Sequence, residues 1–176
     1  MCGRYFIKLD DSEIARKIKE RLKETQSFEY ATNEIFPSQN AIVLVPKKEG
    51  IDATVKKWGI SGRSLLINAR IETLHERITY KRILHNRCAV IANGFYEWNH
   101  KKKIYITKEN EPYIYFAGLY NENNEFVIIT GESENQMKQI HSRTPIIMNE
   151  QKMMDYLHFK DMPSIDNENL HFELCE

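Results

Sequence analysis

Cys2 has the most distinctive chemistry open to it of any residue in the chain. An initiator methionine is normally trimmed when the second residue is small, and trimming here would leave cysteine at the N-terminus. Its free α-amine would then lie two carbons from its thiol. Such a 1,2-aminothiol condenses with an aldehyde to a Schiff base, and the thiol closes on the same carbon to give a five-membered thiazolidine. The amine has an ordinary pKa of about 7.7–8.0, so a useful fraction is neutral at physiological pH. An internal cysteine cannot react this way, because its nitrogen is an amide. Position alone favours an incidental cysteine, and the reactive reading needs the support of other groups.

Three other stretches carry usable groups. Gly94-Phe95-Tyr96-Glu97-Trp98 sets a carboxylate among aromatics. Burial there would raise its pKa and make it a general acid or base. In a strand Phe95 and Glu97 share one face and Tyr96 and Trp98 the other, so Glu97 also reads as a solvent-facing position. His141-Ser142-Arg143-Thr144-Pro145 ends a predicted helix and begins a strand. Its histidine serves either the helix dipole or as a proton donor tuned near neutrality. Asn68-Ala69-Arg70-Ile71-Glu72 follows a short apolar stretch.

The elements that must position these groups are short. Asp11-Ser12 opens an amphipathic stripe of Ile14, Ile18 and Leu22, which predicts a capped helix ending near Thr25. Residues 41–45 read as a strand ended by Pro46, 47–50 as a turn and 51–58 as the returning strand. Further strands are expected at 64–67, 88–92 and 126–130, with a meander over 95–99, 104–107 and 113–120. Helical patterns fall at 73–77, 134–140 and 150–157. Many short strands without strand–helix alternation predict an α+β fold, a single domain over 1–176 with a largely antiparallel, barrel-like sheet core and a few flanking helices.

Composition narrows the function classes. The 176 residues are 41% hydrophobic and 28% charged, which is globular rather than disordered. No apolar run approaches the ~20 residues of a membrane helix, and the start has no apolar signal core. Three cysteines without paired spacing fit a reducing cytoplasm and suggest neither a disulfide framework nor a metal site. Residues 1–149 hold 23 Lys and Arg against 18 Asp and Glu, and residues 150–176 hold 2 against 7. The body is mildly basic, which permits a nucleic-acid partner without demanding one. The acidic tail, about 158–176, reads as a solvated end.

Taken together the motifs resemble one family. Met-Cys-Gly-Arg at the start, Trp58-Gly59, Asn68-Ala69-Arg70 with Glu72, Gly94-Phe95-Tyr96-Glu97-Trp98, Ala117-Gly118-Leu119 and His141-x-Arg143-x-Pro145 stand in the order of the SOS-response-associated peptidase (SRAP) family, the abasic-site processing proteins. This sequence departs from the usual pattern at Ile91, where proline is common, at Thr144 and at Phe36. The loop between Gly59 and Asn68 is short for the family.

The resemblance implies a covalent thiazolidine crosslink between the N-terminal cysteine and abasic sites in single-stranded DNA, formed after Met1 is removed by self-processing. Cys2, Asn68, Glu97 and His141 would be the catalytic positions. Cys2 would be the nucleophile, His141 would serve the sugar ring oxygen, Glu97 would move protons and Asn68 would orient the cysteine. Arg4, Arg70 and Arg143 would hold phosphates, with Trp58 and Pro37 against bases. No cofactor and no metal are implied. A monomer acting in a bacterial or phage-infected cytoplasm is expected. Two other readings stay open: a thiol peptidase using Cys2 and His141, and a non-covalent reader of damaged single-stranded DNA.

Overall fold

Apolar runs of four to eight residues, broken by turns rich in Asn, Gly and Lys, favour strands over long helices. The computed structural model describes residues 2–25, 29–165 and 167–175. In chain order the described elements are β1 (Arg4–Ile7), α1 (Glu13–Glu24), β2 (Asn33–Ile35), β3 (Asn40–Pro46), β4 (Ile51–Trp58), β5 (Asn68–Arg70), a 3-10 turn (Ile71–Thr73) and α2 (Ile78–Lys81). There follow β6 (Arg87–Ala92), β7 (Gly94–Asn99), β8 (Lys102–Lys108), β9 (Ile114–Tyr120), β10 (Glu125–Glu132), α3 (Met137–Ile140), β11 (Arg143–Pro145), β12 (Ile147–Met148), α4 (Glu150–Leu157) and β13 (Leu170–Leu174).

The fold is α+β. A five-stranded antiparallel sheet runs β13-β8-β7-β1-β2. The second sheet runs β11-β10-β4-β3-β6-β9-β12, and a pairing of β10 with β9 joins β10-β4-β3-β6-β9 into a ring. β10 is the hub. Along one edge it pairs in parallel first with β4 and then with β5, and along the other it pairs antiparallel with β9 and then β11.

The two sheets share one core. Tyr5 packs on Trp58 at 5.2 Å between ring centroids, Trp58 stacks on Phe126 at 6.4 Å, and Phe95 meets Phe116 edge-on at 5.8 Å. Each such pair is worth about 0.5–1.5 kcal/mol beyond its area burial. Helix α1 lies against β4 with Ala15, Ile18 and Leu22 buried. Ser12 Oγ caps it by accepting the Ala15 N–H at 3.4 Å, and Arg21 ties it to Asp52 of β4.

The structure moves several expected elements. The strand expected at 64–67 is a loop with one bridge, Ile60 to Leu66, and pairing resumes at Asn68. Of the helical turn expected at 73–77, only Thr73 belongs to the 3-10 turn, and residues 74–77 form the turn that leads into α2. Only Met137–Ile140 is helical within 134–140, because Asn135 takes a positive φ of 50°. The meander is half right: β7 and β8 form a hairpin, but β9 crosses to the other sheet and pairs with β6. The acidic tail is not simply a solvated end. Its β13 pairs with β8 from Leu170↔Lys108 to Leu174↔Ile104, and Leu170 is buried. No described helix is long and apolar enough to cross a membrane.

Candidate active site

β1 and β7 lie side by side with Arg4 opposite Tyr96 and Tyr5 opposite Phe95. That register brings Cys2 to the end of β7 that carries Glu97 and Trp98. Cys2 is wholly enclosed, with its S–H 3.8 Å from the Arg4 carbonyl. Burial drives the thiol far above the ordinary cysteine range, and the negative charge of Glu97 adds to the rise. Glu97 is only 3% exposed, and burial raises its carboxyl to about 7. The expected division of faces is observed: Phe95 and Glu97 point inward, while Trp98 is 37% exposed. The solvent-facing reading of Glu97 is therefore excluded.

His141 caps the C-terminal end of α3. This short helix packs on β7, where Asn99 Nδ2 donates to the Gln139 carbonyl at 3.3 Å. The Arg143 N–H donates to His141 Nδ1 at 3.0 Å, so the network assigns the proton of the neutral ring to Nε2. The Arg143 carbonyl is 3.1 Å from the same nitrogen and can accept from it once it is protonated. Burial lowers the His141 pKa and favours the neutral ring. A neutral ring on a one-turn helix gains little from the dipole.

Asn68 and Arg143 are held on opposite sides of β10. Asn68 lies in register with Ile128, and Arg143 with Glu132. Tyr80 of α2 donates its hydroxyl to the Asn68 carbonyl at 3.0 Å, and Asn68 Nδ2 donates to the Ile67 carbonyl at 3.0 Å. Asn68 Oδ1 is buried with no hydrogen-bond partner among the described residues, leaving an acceptor vacant.

Three residues expected at the DNA surface are placed differently from one another. Arg4 lies between two exposed rings, 4.3 Å from the Phe36 centroid and 5.2 Å from Trp98, and donates to Glu34 at 3.1 Å. Arg70 is exposed, and its side chain makes no hydrogen bond or ion pair among the described residues. Arg143, by contrast, is engaged within the protein. Its two terminal nitrogens donate to both Glu72 oxygens at 2.7 and 3.0 Å, and one also reaches the Thr130 carbonyl at 2.7 Å.

Trp58 corrects the sequence reading outright. It is 0% exposed, its indole N–H donates to the Ile67 carbonyl at 3.0 Å, and its ring packs against Tyr5 and Phe126 in the core. No face is left for a base. Trp58 instead anchors the turn that holds half-buried Pro37, because its carbonyl accepts the Ser38 N–H at 2.8 Å. The exposed rings on this side are Phe36 and Trp98, both beside Arg4. Alternation along β7 had already put Trp98 on the outer face. No group of three or more His, Cys, Asp or Glu among the described residues is placed to hold a metal ion.

The family model for SOS response associated peptidases (SRAP) matches residues 1–173. The chain belongs to the SRAP family. Its similarity to the abasic site processing protein YoqW of Bacillus subtilis is 28% identity over 92% of this chain and 82% of that protein. The abasic site processing protein HMCES of Xenopus tropicalis is 28% identical over 56% of this chain and 39% of its own length. A crystal structure from Bordetella bronchiseptica superposes with a TM-score of 0.76 at 16% identity, covering 99% of this chain and all of that one. One from Bacteroides thetaiotaomicron gives 0.76 at 18%, covering 99% and 92%. These two share the SRAP fold seen here.

Proposed function

We propose that this SRAP-family chain processes abasic sites in single-stranded DNA, forming a thiazolidine crosslink through Cys2 once Met1 has been removed. The observation that carries the reading is an enclosed Cys2 in the field of Glu97, whose own carboxyl stands near 7. The names of the relatives, abasic site processing proteins from bacteria, phage and vertebrate, support the same substrate.

The chemistry follows from the groups present. The ring-opened sugar of an abasic site exposes an aldehyde at C1′. The Cys2 amine adds to it, the carbinolamine loses the aldehyde oxygen as water, and an imine remains. The thiol then adds across the imine, sulfur to carbon and its proton to nitrogen. Glu97, near half-protonation at neutral pH, donates to the departing hydroxyl, recovers a proton from nitrogen as the imine forms, and in the closing step returns it to nitrogen while taking up the thiol proton. That relay matters because a thiol raised so far does not ionise unaided. His141 offers Nε2–H to the sugar ring oxygen, and Asn68 Oδ1 suits a donor such as the amine. Arg4 and Arg70 face phosphates, with Phe36, Pro37 and Trp98 against the bases. Arg143 acts by holding His141 through its backbone.

Self-processing of Met1 belongs to the same proposal, as does action as a monomer in the cytoplasm. A thiol peptidase acting in trans needs a thiolate at Cys2, and both burial and Glu97 work against one. The test pairs intact mass with a denaturing gel, using a single-stranded oligonucleotide carrying one abasic site. Loss of Met1 and a denaturation-resistant band that Cys2→Ala abolishes are expected. Folded protein without Met1 that forms no such band would make it a non-covalent reader.

A further inference from the structure

The hairpin that carries Glu97 and Trp98 ends in a turn whose residues suit DNA better than they suit the turn. Asn99 pairs with Lys102, leaving His100 and Lys101 as a two-residue connection. Both take positive φ, 46° and 74°. Two-residue hairpin turns demand this backbone, and Asn-Gly supplies it with least strain. The chain uses the tolerant residue elsewhere: among the described residues, five of the nine non-glycine positions with positive φ are asparagine. Lysine has no such tolerance.

The turn therefore keeps a cation where its backbone favours glycine. His100, Lys101 and Lys102 are all exposed, and neither lysine has an ion-pair partner among the described residues. Lys103, one position on, shows the contrast, since Glu34 holds its ammonium at 2.7 and 2.8 Å. Behind the tip stands exposed Trp98, with Arg4 5.2 Å from its ring, and one residue further back is buried Glu97. The two free ammonium groups thus project from the strand that carries the reactive carboxyl, beyond the ring best placed to stack.

We propose that His100, Lys101 and Lys102 form a phosphate-gripping tip that holds the single strand of DNA where it leaves the lesion on the Trp98 side. The inference deepens the abasic-site reading and rests on it for the position of the lesion. Strain at the tip is the cost of presenting charge there, as expected where local turn chemistry is overridden by function.

The test replaces the tip with the pair the turn prefers, H100N/K101G, in a Cys2→Ala background so that only non-covalent binding is read. Melting temperature should rise by about 2–4 °C as strain is relieved. Affinity for a single-stranded oligonucleotide should fall roughly fivefold at about 0.15 M salt, and the slope of log K against log salt should lose about 0.7, one phosphate's worth. Lys102→Gln, which leaves the turn intact, should remove a similar increment and serves if the double variant folds poorly. Unchanged affinity and slope in both variants would overturn the proposal. So would a loss confined to lesion-bearing strands, because phosphates are common to both. A tip-dependent slope on lesion-free DNA, in a protein whose Cys2 form makes no crosslink, would instead overturn the abasic-site reading alone.

Discussion

The proposed proton chemistry of Glu97 comes with a folding cost in the same carboxyl, because burial lifts it from the ordinary value of 4.5 to about 7. Between those two values the folded chain binds a proton that the unfolded chain has released. Stability therefore falls as pH rises through this window, and the loss is complete above about 7. Glu97→Gln removes the cost. The variant should match the parent near pH 4 and gain on it up to pH 7, by on the order of 3 kcal/mol. Urea melts at several pH values check this; parallel curves would mean that the carboxyl is not raised. The same variant should slow crosslinking by roughly 10²–10⁴ while leaving DNA affinity near the parent's. The two tryptophans divide in the same spirit. Trp58→Ala empties a fully buried site and should cost about 3–5 kcal/mol of stability. Trp98→Ala should leave the melting temperature nearly unchanged and weaken DNA binding by about 1–3 kcal/mol, the worth of one stacked base. Calorimetry and anisotropy on both variants separate the roles, and a binding loss without unfolding in Trp58→Ala would reverse them.

At the scale of elements, the clamp between Glu72 and Arg143 joins the 3-10 turn after β5 to β11 across β10. Arg143 then orients His141 through its backbone N–H. Hydrogen bonding from Arg143 holds the Glu72 carboxyl below its ordinary range. The clamp is therefore present above the ordinary glutamate pKa and is lost as pH falls through the lowered one. Glu72→Gln should slow single-turnover crosslinking about tenfold at saturating DNA and shift its pH profile, since His141 is freed to titrate differently. An unchanged profile would leave Glu72 as a surface ion pair only. Such long-range links explain what the sequence made legible and what it hid. Helix α1, the β3–β4 hairpin and α4 were readable because caps, turns and apolar spacing are local. The departure of β9 from β8 was not, because a buried strand looks alike in either sheet. The candidate residues Cys2, Asn68, Glu97 and His141 stand out in the sequence as motifs, but the burial of Trp58 and the capture of Arg143 depend on partners distant in sequence.

For the whole molecule, the proposed function calls for a charge distribution that guides DNA without gripping it widely. The basic excess lies in residues 1–149 and the acidic excess in 150–176. The fold carries part of that tail back as β13 along β8, so Glu173 comes to lie opposite Tyr105 on the sheet that bears Arg4 and Trp98. On the proposed reading, acidic residues at that edge would limit how many phosphates the protein can neutralise. An abasic site also offers no base to read, and a covalent bond would make high non-covalent affinity unnecessary. Few contacts would then suffice, and the proposed ones are Arg4, half-exposed beside Trp98, with exposed Arg70, Lys101 and Lys102. With about 0.7 ion released per phosphate on a single strand, three or four contacts give a slope of roughly −2 to −3 in log K against log salt. Anisotropy titrations of the Cys2→Ala protein over a range of salt measure it directly. A slope steeper than about −5 would require a far broader cationic surface than these four residues supply. A protein with that slope would be held on DNA by charge alone, and the covalent step would no longer be needed to explain its residence at a lesion.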